Sequence, residues 1–304
     1  MTTATATTAG LSPPPGTTGA APPSGRRPRR RRSVTASVLL LLGAAYCLLP
    51  VLWVVIASSK SSAELFSTFA LTPSTHLFGN IADLSAYRGG LFWRWMANTA
   101  LYAGVGGLAS TLISAMAGFA LAKYAFPGKQ VVFNVILAGV LVPGVILAIP
   151  QYLLLAKIGL TNSYWSVLLP SLISPFSIYL CRIFAAATVP TEVLEAARTD
   201  GASDWHAFAR IALPMMRAGL VTVFLFQFVA IWNNFMLPYI MLGDDRLFPV
   251  TVGLNGLVNQ GANQPAMYTS VVTGALLSIV PLVALFLCLQ RYWQVDLAAG
   301  AVKS

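Results

Sequence analysis

The chain has 304 residues, of which 57% are hydrophobic and only 9% charged. Soluble domains carry roughly 25% charged residues, so a water-soluble globular enzyme is excluded and an integral membrane protein is indicated. The net charge of +10 does not point to nucleic acid, because Arg26, Arg27, Arg29, Arg30, Arg31 and Arg32 stand together just ahead of the first apolar run, where a topology signal belongs.

Residues 1–33 form a basic N-terminal arm; its first part is Thr, Ala, Pro, Gly and Ser without periodicity, and is expected to be disordered. The apolar run that follows is longer than the roughly 7–15 residues of a signal-peptide core, and Tyr46 is too bulky ahead of Cys47 for lipoprotein processing. An uncleaved anchor is expected. Six segments can each cross about 30 Å of hydrocarbon, near Val34–Ala57, Trp95–Ala122, Val131–Ala156, Ser163–Phe184, Ala218–Leu242 and Thr269–Leu289. They make residues 34–304 a six-helix transmembrane domain.

If the N-terminus is cytoplasmic, the inside holds the arm, Lys123, Lys129, Arg182, Arg198, Arg210, Arg217, Arg291 and Lys303. The outside holds only Lys60, Arg88, Arg94, Lys157 and Arg246. The excess of Lys and Arg therefore places both termini in the cytoplasm. Two outside segments are long, 58–94 and 243–268. The second contains "LNGLVNQGANQPAMY", with Asn255, Gly256, Asn259, Gln260 and Asn263, which reads either as a polar contact surface or as a solvated connector.

Within the spans, Ala103, Gly107, Thr111 and Ala115 recur at every fourth position, a stripe that lets helix backbones approach closely. Pro143, Pro150, Pro170, Pro175, Pro238 and Pro281 punctuate the later spans, where freed carbonyls need new partners. The fifth span, "FLFQFVAIWNNFMLPYIML", places Gln227 and Asn234 seven apart on one helix face with Asn233 alongside. Buried amides are costly unless paired or wetted, so the stripe either lines a translocation path or bonds to a neighbouring helix. The near absence of charge in the spans suits an uncharged solute better than an ion or proton relay.

Between spans four and five lies "EVLEAARTDGASDWHAFARIALP", Glu192 to Pro214. Four of the nine acidic residues (Glu192, Glu195, Asp200 and Asp204) are gathered here. Pro190-Thr191-Glu192 suits a helix start, Gly201 permits a sharp turn, and Ser203 is a suitable N-cap for a second helix. The expected product is a cytoplasmic helix–Gly turn–helix over about 190–214. Ala196 and Ala197 leave one face bare, fit for a groove on another protein; an ordinary amphipathic surface loop is the alternative.

This stretch resembles the E-A-A-x3-G-x9-I-x-L-P motif of the membrane subunits of bacterial ABC importers, with Glu195, Ala196, Ala197, Gly201, Ile211, Leu213 and Pro214 at its fixed positions. "IWNNFMLPYIML" resembles the fifth-span signature of carbohydrate-uptake permeases. The ending "QRYWQVDLAAGAVKS" is similar to that of the maltose-transporter (MalG-like) family, with Asp296 and Ser304 standing where glycines are usual. The resemblance implies an all-α, six-helix type I ABC importer permease fold and a sugar permease of the cell membrane. It implies four partners beyond the bilayer: a homologous second permease, a dimer of ATP-binding subunits, an extracytoplasmic solute-binding protein, and a di- or oligosaccharide. Glu195, Ala196, Ala197, Asp200, Gly201, Leu213 and Pro214 would form the coupling helices that dock on the ATPase. Gly300, Ala301, Val302 and Lys303 would run along the ATPase interface. Asn255, Gly256, Asn259, Gln260 and Asn263 would lie in a scoop loop reaching the binding protein, and Gln227, Trp232, Asn233 and Asn234 would line the path.

The chain is expected to carry no cofactor. It has no G-x-x-x-x-G-K-[ST]; Gly128-Lys129 is followed by Gln130. ATP and Mg would therefore belong to a partner. His76 and His206 fall on opposite expected sides and form no ligand pair, which leaves nothing for a membrane enzyme. A stand-alone secondary carrier would show inverted repeats and intramembrane charges, and neither is visible. Within the importer reading, a glycerol-phosphate-type solute is the alternative to a sugar.

Overall fold

The computed structural model describes residues 34–261, 264 and 266–300. The basic arm lies outside these residues. The chain divides into two units between Cys47 and Leu48; of the first, residues 34–47 are described, as the exposed beginning of helix α1 (Val34–Ser58). Leu39, Leu40, Leu41 and Leu42 are all exposed, which is the signature of a helix that is apolar all round and solvated by lipid.

The second unit is built around one long helix. After α1 come two short helices, α2 (Ser62–Ser67) and α3 (Leu77–Ala86), and then α4 (Leu91–Lys123). At 1.5 Å per residue α4 is about 50 Å long, enough to span the bilayer and project from it. Then follow α5 (Lys129–Leu141), α6 (Gly144–Lys157), α7 (Tyr164–Ser171) and α8 (Pro175–Thr188). The pair α9 (Thr191–Thr199) and α10 (Asp204–His206) leads through a π-helical turn, Ala207–Ala212, into α11 (Leu213–Met215). The chain ends in α12 (Arg217–Trp232), α13 (Met236–Met241), α14 (Val250–Gly261) and α15 (Ala266–Gly300).

Three helices are long and apolar enough to cross a membrane unaided: Val34–Ser58, Leu91–Lys123 and Met267–Gln290. Three bent pairs can raise the number to 6 among the described residues. The pair α5 and α6 turns by 105°, because Pro143 forces Val142 out of helical geometry to ψ 118°. The pair α7 and α8 bends by 41° where Pro175 opens α8 behind the Ser174 cap.

The small-residue stripe on α4 is the packing seam. Ala103 and Ala115 are fully buried, and a Cβ on Gly107 would stand 3.4 Å from the Phe228 backbone nitrogen of α12. A Cβ on Gly118 would stand 2.6 Å from the Arg182 nitrogen and from Cβ of Cys181 on α8. Those backbones can meet only because glycine has no side chain.

The expected fifth span is interrupted: α12 stops at Trp232 and α13 restarts at Met236. Gln227 and Asn234 therefore do not share one continuous helix. The segments read as outside loops are largely helical. Ser61 and Glu64 cap α2 reciprocally, Asn80 Nδ2 donates to the carbonyls of Ser58 and Lys60, and the buried Lys60 ammonium donates to the Phe69 carbonyl at 2.7 Å.

Candidate functional site

Helix α9 ends at Thr199 with Asp200 as its C-cap, and Gly201 follows at φ +83°. The Ala202 N–H donates to the Ala197 carbonyl at 2.9 Å and the Gly201 N–H to Arg198 at 3.0 Å, the paired closure that a left-handed residue after a helix allows. Ser203 Oγ accepts from the His206 N–H at 3.3 Å and caps α10. The expected helix–Gly turn–helix is present.

Its two faces differ. Leu194, Ala197, Ala207, Phe208 and Ala212 are buried. Apart from Ala197 they belong to one cluster with Phe119 of α4 and Cys181 and Ala185 of α8. Glu192, Val193, Glu195, Ala196, Asp200, Gly201 and Pro214 are exposed, and Trp205 is 67% exposed. Leu213 packs against the buried cluster. The bare face thus holds Ala196 but not Ala197: Ala197 lies three residues after buried Leu194 and so shares its face of α9. Gly201, Ser203, His206 and Ile211 line an open concavity of about 560 Å³ on this surface. Nearby, burial and the Asp204 carboxylate hold the Tyr124 hydroxyl above its ordinary pKa.

A second concavity, of about 440 Å³, lies where three interruptions converge. Gly139 and Gly144 flank the α5–α6 bend, Ser171, Ser174 and Pro175 the α7–α8 bend, and Asn234 and Met236 the α12–α13 break. Gln151 and Gln227 also line it. Broken helices expose backbone groups that only a cavity or protein can satisfy. Gln227 is 8% exposed and donates to Ser177 Oγ at 2.6 Å and Ser110 Oγ at 3.3 Å, so its amide also ties α12 to α8 and α4. Trp232 is buried and stacked on Phe228; Asn233 is exposed and bonded to the Val229 carbonyl. Neither is among the lining residues of this cavity. Gln151, Ser171 and Ser174 were missed in the sequence, although an amide inside the apolar "AIPQYLLLA" is itself a signal.

The end of α4 remote from the turn is held by Asn98, whose Nδ2 donates to the Arg246 and Phe248 carbonyls at 2.9 and 3.0 Å. Tyr102 donates to the Leu247 carbonyl and Trp95 Nε1 to Asp245. Helix α14 packs there on buried Leu257, with Gly253 directly under the Trp95 ring. Asn255, Gly256, Asn259 and Gln260 thus sit on a helix where a loop was expected, with Asn259 and Gln260 exposed. Asn263, Ala301, Val302 and Lys303 lie outside the described residues; Gly300 closes α15. Among the described residues no group of His, Cys, Asp and Glu could hold a metal ion.

Residues 109–295 match the family described as "Binding-protein-dependent transport system inner membrane component". The chain belongs to this family. The match contains the helix–Gly turn–helix, the interrupted fifth span and α14, so this permease is a transport subunit of a membrane and not an enzyme. It is 33% identical over 263 residues to the arabinooligosaccharides transport system permease protein AraQ of Halalkalibacterium halodurans, covering 86% of this chain and 92% of that one. It is 28% identical to the sn-glycerol-3-phosphate transport system permease protein UgpE of Escherichia coli O1:K1, covering 82% and 90%. A chain from the crystal structure of a bacterial ABC transporter involved in import of the acidic polysaccharide alginate superposes with TM-score 0.73 at 23% identity, over 85% of this chain and 95% of that one. That likeness establishes the permease fold.

Proposed function

We propose that this permease is one of two membrane subunits of an ATP-driven, binding-protein-dependent importer of a di- or oligosaccharide. The observation that carries the reading is the division of the helix–Gly turn–helix: Leu194 and Phe208 are buried with Phe119 and Cys181, while Glu195, Ala196 and Trp205 face outward. A surface seated on the spans by one face and free on the other can transmit force from a partner into the bundle. The partner is an ATP-binding subunit that binds ATP and Mg and docks on Glu195, Ala196, Asp200 and Gly201. Residues Gly300 to Lys303 follow the ATPase interface. ATP binding acts by favouring one bundle state over the other.

Both termini are cytoplasmic, and α14 with Asn255, Asn259, Gln260 and Asn263 faces the solute-binding protein. Gln227 and Asn234, joined by Gln151, Ser171 and Ser174, lie on the solute path, with Trp232 and Asn233 at the neighbouring end of α12. The uncharged amide and hydroxyl lining suits sugar hydroxyls. The relative named for arabinooligosaccharides supports that solute class; the one named for sn-glycerol-3-phosphate supplies the second reading.

The test is uptake into proteoliposomes holding the whole complex with its binding protein. Accumulation of labelled arabino-oligosaccharide only with enclosed ATP supports the proposal. Uptake of sn-glycerol-3-phosphate but of no oligosaccharide supports the second reading, and uptake driven by an ion gradient without ATP contradicts both.

A further inference from the structure

At the end of α4 remote from the coupling turn, three guanidinium groups border one concavity of about 380 Å³, lined by Arg88, Gly89, Gly90, Leu91, Arg94 and Arg246. Arg88 and Arg94 stand six residues apart around the start of α4, Arg246 comes from a turn distant in sequence, and named contacts hold them together. Arg94 Nε donates to the Arg246 carbonyl at 2.9 Å, and Asn98 donates to the same oxygen at 2.9 Å. The turn carrying Arg246 is thereby fixed to α4. Arg88 stands at φ +44°, followed by Gly89 at +71° and Gly90 at +88°. This left-handed run brings its side chain to Asp245, with which it forms an ion pair.

Charge is not balanced here. Among the described residues, Asp245 is the sole acid in an ion pair with any of the three arginines, and the Asp244 carboxylate accepts from the Arg246 backbone N–H at 2.9 Å, so two carboxylates face three cations and a net positive charge is left. The Nη groups of Arg94 and the guanidinium of Arg246 keep donors free for fork-shaped pairing with a carboxylate. A second concavity, of about 400 Å³, shares Arg88 and continues to Gly256 and Gln260 of α14.

We propose that Arg88, Arg94 and Arg246 form an electrostatic docking point for carboxylate side chains on the solute-binding protein. The inference rests on the proposed function and extends it to a partner chemistry. All three arginines are exposed, so water screens them against a small free anion. A protein partner supplies the missing desolvation by covering the site, and opposite charge at the rim of an interface acts chiefly on encounter and register. The site is also continuous with the α14 face assigned to the same partner.

The test uses the complete complex in nanodiscs and the solute-binding protein isolated with it, titrated against stimulated ATP hydrolysis. The double variant Arg94→Glu with Arg246→Glu leaves the Arg88–Asp245 pair in place. Its half-saturating concentration of binding protein should rise about tenfold, with the maximal rate unchanged. The gap should close as salt goes from about 0.1 M to about 1 M and the Debye length falls from about 10 to about 3 Å. The milder Arg94→Gln with Arg246→Gln should fall in between.

Equal half-saturation and equal salt dependence in variant and wild type would overturn the docking point. A gap seen only in anionic-lipid nanodiscs would assign the arginines to lipid headgroups instead. A wild-type complex that does not respond to the binding protein at all would overturn the proposed function together with this inference.

Discussion

Arg198 and Asp204 meet across Gly201: Nη2 of the arginine lies 3.3 Å from Oδ1 of the aspartate, joining the two helices of the coupling turn. Both side chains are well exposed, and such surface pairs contribute about 0–1 kcal/mol. The turn therefore depends less on the ion pair than on the backbone of Gly201, at φ +83° with open space around its Cα.

Replacement of that glycine separates conformation from bulk. Gly201→Val meets no atom within 4 Å of its Cβ, yet must either adopt a left-handed backbone at about 1–2 kcal/mol or open the turn. Expression and membrane insertion are expected to match wild type, with ATP-dependent uptake lost. Gly201→Asn, which tolerates φ > 0 better, should keep most uptake. Uptake assays on membranes with equal amounts of each protein check both.

The seam between α4 and α8 gives the opposite case. A Cβ at Gly118 would press on the backbone of Cys181 and Arg182 at 2.6–2.7 Å, where nothing can swing aside. Gly118→Ala should destabilise by about 1–3 kcal/mol as the helices part. Gly104→Ala, about four turns away on the same helix and with nothing within 4 Å, should be neutral. Thermal unfolding in detergent distinguishes the two.

The coupling turn was legible because its causes are local. Proline ahead of α9, glycine at the closing turn and serine before α10 each act through their own φ or side chain, within a few residues. The small-residue stripe was legible for a related reason, since a four-residue period survives wherever the helix is straight. The fifth span was not. Its Gln227–Asn234 relation assumed an unbroken period, and the break draws on a partner outside the span: the Asn234 carbonyl accepts from Thr251 Oγ1 at 2.9 Å, while its Oδ1 accepts from the nearby Leu237 N–H. The polar concavity draws on α5 through α8 and on both halves of the fifth span, so no window of sequence contains it. Helix α2 could have been found, because Ser61 and Glu64 spell a capping box. The burial of Ala197 also had a local signal, since it stands three residues after Leu194 on one helix face.

Gln227 tests whether the concavity is architecture or pathway. Gln227→Leu removes both bonds, to Ser177 and Ser110, and interhelical hydrogen bonds within membranes average only about 0.6 kcal/mol. Stability should fall by twice that amount, roughly 1.2 kcal/mol, while the apparent affinity for transported solute changes more. Gln151→Leu, at the same cavity but with its amide making no hydrogen bond among the described residues, should leave stability unchanged and still alter transport. Thermal unfolding and solute-dependent uptake, run on the same preparations, provide the comparison.

Acid should loosen the α2 cap. Glu64 is held below its ordinary value of 4.5 chiefly by the Ser61 backbone N–H, then by Ser74, with His76 adding a smaller share. Because the folded-state pKa is depressed, the stabilisation is present above 4.5 and is lost as pH falls through the folded value. Amide exchange in residues 61–68, corrected for intrinsic rate, should quicken below that pH and not above it. In Glu64→Gln the fast exchange should be present at neutral pH.

The most direct measurement is affinity purification of the tagged permease from its native membranes, in wild-type form and as Glu195→Lys, with companions identified by mass. Glu195 is exposed and its side chain makes no hydrogen bond or ion pair among the described residues, so the substitution should leave folding within about 0.5 kcal/mol of wild type. Wild type should bring down a homologous permease, an ATP-binding subunit and a solute-binding protein, while Glu195→Lys keeps the second permease and loses the ATP-binding subunit. Recovery of the wild-type chain alone, at full yield and still moving solute, would contradict the account, as would a Glu195→Lys complex that retains its ATP-binding subunit in full.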